Sequence, residues 1–258
     1  MLLAIDVGNT QTVMGLFEGD DLVDQWRLST VRERTADEYR LYFAGLLRQD
    51  GYRLSDIDGT ALSSVVPEVK QALTVVAERM IDGPVVVVGP GIRTGMPIAI
   101  DNPREVGADR VVNSIAAAAR HGTPVVSVDF GTSTNMDVVD ASGAYVGGAI
   151  APGLEVSEQA LIGRAAALRS VEFAEPRHAI GRNTVEAMQS GLLYGHAGLV
   201  DGIVARLVEE VGGDPVVVAT GGLAPTIVPL CRTVSIVDER LTLDGLRIVY
   251  ERNLEDLP

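Results

Sequence analysis

The chain has 258 residues, a formal net charge of −14 and 4% aromatic residues. This balance argues against nucleic acid or an anionic membrane surface as partner, because both are bound mainly through clustered Lys and Arg. A single cysteine, Cys231, excludes an internal disulfide and fits a reducing compartment.

The predicted elements open with three strands in quick succession, Leu2 to Ile5, Thr12 to Phe17 and Leu22 to Leu28. They read as an antiparallel meander turning at Gly19-Asp20-Asp21, with Trp26 as a packing residue. Thr35-Ala36-Asp37-Glu38 has the form of a capping box, followed by Tyr39, Tyr42, Phe43, Leu46 and Leu47 at helical spacing. The pattern then alternates: a strand from Thr60 to Val66, a helix from Glu68 to Ile81, and a short buried strand from Val85 to Val88. Ile98 to Ile100 is a candidate strand, broken by Asp101-Asn102-Pro103. Gly107-Ala108-Asp109-Arg110 opens an Ala-rich helix running to about Arg120. An Asp and an Arg in a first helical turn can face a ligand together with the free N–H groups; alternatively, Asp109 only favours the helix N-terminus and Arg110 lies in solvent.

The second half repeats the first. Val125 to Val128, Met136 to Val139 and Tyr145 to Ile150 form another meander, and Pro152-Gly153 introduces a helix through about Ala167. Ser170 to Arg182 reads as a surface loop. Asn183-Thr184 precedes a long helix from Val185 to Val211, whose glycines at 191, 195, 198 and 202 call for compensation by close packing or a ligand. Pro215 to Ala219 is a buried strand entering Thr220-Gly221-Gly222, and Asp244 to Asn253 is a closing helix. No apolar run approaches the ~20 residues of a membrane span and no targeting segment is apparent, so a soluble, cytoplasmic protein is expected. His121, His178 and His196 are scattered without cysteine partners, against a protein-ligated zinc site.

Two stretches share one form. Leu2 to Ile5 runs into Asp6-Val7-Gly8-Asn9-Thr10, and Val125 to Val128 into Asp129-Phe130-Gly131-Thr132-Ser133-Thr134-Asn135. In each, an apolar strand delivers a carboxylate into a glycine turn rich in small polar residues. Such a turn leaves backbone N–H groups and the hydroxyls of Thr10, Thr132 and Thr134 free for phosphate oxygens. The aspartate would repel phosphate directly and is better suited to a cation or its water shell. Two ordinary β-hairpins with Asp-Gly-type turns would account for the same residues without a ligand.

The repeated order resembles the actin, hexokinase and sugar-kinase superfamily. The implied fold class is α/β: duplicated actin-like ATPase (ribonuclease H-like) domains, spanning 1–119 and 120–258, with mixed sheets flanked by helices and a nucleotide cleft between the halves. Within it the residues resemble the type III pantothenate kinases. Asp6-Val7-Gly8-Asn9-Thr10 is similar to that family's first phosphate motif, Gly107-Ala108-Asp109-Arg110 to its substrate motif, and Asp129-Phe130-Gly131-Thr132 to its second phosphate motif. Gly147-Gly148-Ala149-Ile150-Ala151-Pro152-Gly153, Asn183-Thr184 and Thr220-Gly221-Gly222 follow in the family's order. The chain departs from it at Ser133-Thr134-Asn135, where the family often has Ala-Thr-Thr.

The resemblance implies phosphorylation of pantothenate at its primary hydroxyl by ATP, the first step towards coenzyme A. It assigns ATP to Asp6, Val7, Gly8, Asn9, Thr10, Gln11, Thr12, Val13, Thr132, Gly221 and Gly222, and pantothenate to Gly107, Ala108, Asp109, Arg110 and Thr184. Asp109 is the implied proton acceptor, Asp129 the ligand of a monovalent cation (K⁺ or NH₄⁺), and Asp6 the residue orienting Mg²⁺ through water. A homodimer is implied, with Thr184 reaching the substrate across its interface. A catalytically weak nucleotide-binding regulatory protein, or a kinase for another small hydroxylated substrate, stays open on the same residues.

Overall fold

A computed structural model describes residues 1–254. Close contacts divide the chain into two units: Met1–Met96 with Asn102–Ala116 and the chain from Leu241 onward, and Pro97–Asp101 with Ala117–Arg240.

The first unit starts with β1 (Leu2–Val7), β2 (Gln11–Glu18) and β3 (Asp21–Ser29). β1 is an apolar run buried along nearly its whole length, as a central strand requires, whereas β3 alternates exposed with covered residues, as suits an edge. Helix α1 (Ala36–Gln49) begins at the expected capping box: Thr35 N–H donates to Glu38 Oε2 at 2.7 Å and Glu38 N–H to Thr35 Oγ1 at 3.3 Å. Such a cap stabilises a helix by about 1 kcal/mol. Tyr39, Phe43 and Leu47 recur every four residues on its buried face. Then come β4 (Gly59–Ser64), α2 (Pro67–Met80) with proline at its first position, β5 (Val85–Val87) and α3 (Ala108–His121).

The sheet order is β3-β2-β1-β4-β5, with β1 antiparallel to β2 and parallel to β4. One face packs Leu3, Ile5, Met14 and Leu16 against the inner faces of α1 and α2. Trp26 lies in that core, and its Nε1–H donates to Asp50 Oδ2 at 2.7 Å.

The second unit repeats this plan with β6 (Val125–Phe130), β7 (Ser133–Val139) and β8 (Tyr145–Pro152), then α4 (Leu154–Arg164), α5 (Thr184–Val211), β9 (Val216–Thr220), α6 (Ala224–Ile227) and β10 (Ile236–Val237). Its order is β10-β9-β6-β7-β8, with β6 antiparallel to β7 and parallel to β9. Strand for strand this is the first sheet again, so the expected duplication of mixed sheets is present. Helix α5 is capped by Asn183, whose Oδ1 accepts the Glu186 N–H at 2.9 Å. Ile98 forms only an isolated bridge to Tyr145 rather than the expected strand, and the expected helix after Gly153 stops at Arg164.

Three further features differ from the sequence reading. By length and composition α5 is apolar enough to cross a membrane, although no such segment was expected. Interleaved Gly, Tyr and His hide its apolar run, and its face carrying Leu193, Ala197, Val200 and Val204 is buried in the core of the second sheet. On the other face, nothing lies within 4 Å of where a side chain would start at Gly191, Gly195 or Gly198. The closing helix α7 (Leu241–Leu254) groups with the first unit, whereas the sequence reading kept everything after 119 together. Leu243, Leu246, Val249 and Tyr250 are buried there, with α7 packed on β1 and β4.

Candidate active site

In the first unit, the turn from β1 to β2 closes through a hydrogen bond from Gly8 N–H to Gln11 O at 2.9 Å. Asn9, Thr10 and Gln11 are exposed at its tip, and Asp6 is half-buried at the strand end. Thr12 is fully buried, its Oγ1 2.9 Å from Thr30 Oγ1, which leaves its backbone to line the turn. Thr30 N–H donates to Thr10 O at 2.9 Å, so the end of β3 braces the turn from the side.

Gly107 to Arg110 form the entry to α3, where Val111 N–H closes the first turn onto Gly107 O at 3.2 Å. Asp109 stands in the first turn of this helix. Its Oδ1 is buried and has no hydrogen-bond partner among the described residues. Burial raises the Asp109 pKa; hydrogen bonding by the Arg110 N–H and the Arg110 charge pull it down less strongly. A methyl group on Gly107 would occupy the space held by that Oδ1. Glycine is therefore what lets the carboxylate lie against the backbone here.

In the second unit, β6 ends at Asp129 and Phe130 and turns at Gly131-Thr132, both exposed. Gly131 N–H donates to Ser133 O at 3.1 Å, and Gly153 N–H, just ahead of α4, donates to Thr132 O at 3.1 Å. Parallel pairing of β6 with β9 brings Asp129 beside Thr220, so the Gly221-Gly222 turn lies next to the Gly131-Thr132 turn. Gly221 has φ +94°, and a Cβ there would fall 2.6 Å from both Asp129 Oδ1 and Phe130 O. Only glycine takes that backbone this close to those two oxygens. Carboxylate and carbonyl oxygens are donors of the kind hard cations take. Among the described residues, no three His, Cys, Asp or Glu cluster as a protein-made metal site. A divalent ion would therefore depend on water and phosphate oxygens for most of its shell.

Thr134 does not offer its hydroxyl to a ligand as the sequence suggested. It is 1% exposed, its Oγ1 2.9 Å from Nε2 of buried His196 on α5. Burial lowers the His196 pKa, which favours the neutral ring. The reversal has a simple cause: the β7 register turns Thr134 to the same face as Met136 and Val138, toward α5.

Thr184 lies elsewhere in this unit. It is exposed at the start of α5, about 18 Å of helix from His196 at 1.5 Å per residue. There it lines a groove of about 620 Å³ with Arg182, Asn183, Leu161, Leu168 and Met188. Burial and the nearby Asp201 push the Cys231 thiol up to about 12, away from the reactive thiolate form. Sequence reading missed Ser63 and His196 near the phosphate turns, and no local pattern marks either one.

The family model for type III pantothenate kinase matches residues 2–206. The chain is 54% identical over 257 residues to a type III pantothenate kinase of Acidothermus cellulolyticus, covering 99% of this chain and 100% of that one. It is 53% identical over 265 residues to one of Streptomyces avermitilis, covering 98% and 99%. Among solved structures, the ROK hexokinase of Thermus thermophilus matches with a TM-score of 0.52 at 16% identity, covering 99% of each chain. That likeness bears on fold alone, the duplicated actin-like α/β fold of the sugar kinases.

Proposed function

This chain belongs to the type III pantothenate kinase family and phosphorylates pantothenate with ATP, the first step of coenzyme A biosynthesis, and we propose that Asp109 is its proton acceptor. The observation that carries this assignment is the buried Asp109 Oδ1 at the mouth of α3, which has no hydrogen-bond partner among the described residues. A carboxylate made more basic by burial is a better base near neutral pH. Asp109 would take the proton of the pantothenate primary hydroxyl as that oxygen bonds to the γ-phosphorus and ADP leaves. Gly107, Ala108 and Arg110 would hold the substrate, with the helix start of α3 and the guanidinium meeting its carboxylate or amide oxygens.

Phosphoryl transfer leaves the protein mostly positioning and charge neutralisation. We assign ATP to the turn from Asp6 to Val13, to Thr132, and to Gly221-Gly222, where bare backbone lets a flat ring approach. Asp6 would orient a hydrated Mg²⁺, which when bound offsets charge on the phosphates. Asp129 would hold K⁺ or NH₄⁺ beside Gly221, supplying countercharge to a turn without Lys or Arg.

The reading extends to a cytoplasmic homodimer in which Thr184 of the partner subunit contacts pantothenate. Its support is the exposed Thr184 and the bare glycine face of α5, on which a second helix could lie close. A coupled assay of ADP release with and without pantothenate, on wild type and Asp109→Asn, tests the assignment. Pantothenate-dependent release lost in the variant supports it, and release unchanged by the substitution refutes the role of Asp109.

A further inference from the structure

Each phosphate-turn aspartate has a hydroxyl beside it that the roles above leave unused. β1 and β4 pair in parallel with Asp6 opposite Ser63, and β6 and β9 pair in parallel with Asp129 opposite Thr220. Residues opposite one another on adjacent strands point to the same face, with the strands about 4.8 Å apart. Ser63 and Thr220 are therefore lateral neighbours of the two carboxylates. Both are buried, at 0% and 2% exposure. Ser63 Oγ has no hydrogen-bond partner among the described residues. A buried hydroxyl in that state has given up water without replacement, which is unfavourable unless an ordered water or bound group completes it.

The two pairs occupy equivalent places in the duplicated sheets, since β1 and β4 correspond to β6 and β9. Neighbouring positions on the same faces are apolar or small: Ala61 before Ser63, and Val218 before Thr220. The hydroxyl appears in both strands at the step level with the aspartate. General packing of a sheet interior calls for no hydroxyl there.

We propose that Ser63 and Thr220 are positioning residues for the cations of this kinase, Ser63 for the divalent ion at Asp6 and Thr220 for the monovalent ion at Asp129. Each hydroxyl bonds a water in the shell of the ion at the neighbouring carboxylate and so holds that shell in place. The inference rests on the assignment of the two aspartates to cations. Outer-shell partners of this kind typically change metal affinity by about 10–100-fold when removed.

The test measures binding rather than turnover. Mn²⁺ is titrated into the full-length protein with ADP and free Mn²⁺ is followed by electron paramagnetic resonance. Separately, the melting temperature is followed as choline chloride is replaced by KCl at constant ionic strength. Ser63→Ala should weaken Mn²⁺ binding about tenfold, the low end of that range, and leave the KCl response intact. Thr220→Val, nearly isosteric, should lose the KCl stabilisation and keep Mn²⁺ affinity, while Thr220→Ser should restore the response. If Ser63→Ala does not fold, Ser63→Cys carries the same comparison at nearly native volume. Mn²⁺ affinity equal to wild type in the serine variant, or both ions weakened alike in either variant, overturns the proposal. Asp6→Asn separates the two levels: if it weakens Mn²⁺ binding while Ser63→Ala does not, only the positioning role fails. If Asp6→Asn binds Mn²⁺ as wild type does, the assignment of Asp6 fails and the inference goes with it.

Discussion

The Asp109 carboxylate folds back over Gly107, so that a methyl group on the Gly107 Cα would lie 2.4 Å from Oδ1. The obstructing atom is the end of a side chain rather than backbone, and it can swing away. Gly107→Ala should therefore leave the fold intact and displace the carboxylate. Misplacing a reacting group by about 1 Å can cost about 10²-fold in rate. A fall in kcat of that order with an unchanged melting temperature is the expected result, and steady-state kinetics beside a thermal melt checks it.

Asp109→Asn removes the proposed proton acceptor in a nearly isosteric change, and turnover should fall about 10²–10⁴-fold while ATP binding persists. The same site gives a stability signature. Burial raises the Asp109 pKa, with the Arg110 N–H and charge opposing it less strongly. A folded pKa above the unfolded one means the folded state holds the proton more tightly; that stability is full below the unfolded value and lost as pH rises through the folded value. The Asp109→Asn variant escapes this loss. Its melting temperature relative to wild type should rise from acidic to neutral pH, which a pH series of thermal melts measures. A difference moving the other way would contradict the buried carboxylate.

Asp201 behaves in the opposite sense. Burial alone would raise its pKa, but N–H and hydroxyl donors of Thr233, the Arg232 N–H and the Arg232 charge outweigh burial and lower it. Its oxygens accept from Arg232 N at 2.8 Å, Thr233 N at 2.9 Å and Thr233 Oγ1 at 2.8 Å, tying α5 to the segment before β10. Hydrogen bonds to a charged group contribute about 1.5–3 kcal/mol. The contribution is present above the unfolded carboxylate value of about 3.9 and lost as pH falls through the depressed folded value. Asp201→Ala should lose about that much stability at neutral pH, with the gap closing in acid, as urea unfolding at both conditions would report.

The proposed homodimer, with Thr184 completing the partner's site, predicts complementation. Asp109→Asn and Thr184→Ala homodimers should each be impaired, and a mixture allowed to exchange subunits should recover activity through mixed dimers carrying one intact site. Sedimentation at assay concentration supplies the second readout. A fully active monomer, or no recovery despite demonstrated exchange, would remove Thr184 from the partner's site.

Much of the architecture was legible because its signals are local. The apolar run Leu2 to Ile5 and the Thr35–Glu38 capping box are recognisable without knowing what lies beside them, since strand and helix periodicity and cap chemistry operate over a few residues. The two Asp-x-Gly turns and the Gly107 to Arg110 helix entry are local in the same sense. Their order along the chain carried the resemblance to a kinase family.

What each side chain faces is a different matter, because it depends on strands paired from distant parts of the chain. Thr134 reads as a turn hydroxyl open to phosphate, yet the β7 register turns it to buried His196. Ser63 shows no motif of its own and becomes notable only because parallel pairing sets it level with Asp6, 57 positions earlier. Helix α7 joined the first unit because the buried face carrying Leu243, Leu246 and Val249 packs on β1 and β4, a choice that proximity in sequence argued against. The chain by itself thus determined the elements, the turns and their chemistry through short-range geometry. Register, facing and helix docking were decided by the tertiary structure, since burying apolar surface against distant partners selects among arrangements that local geometry leaves equal.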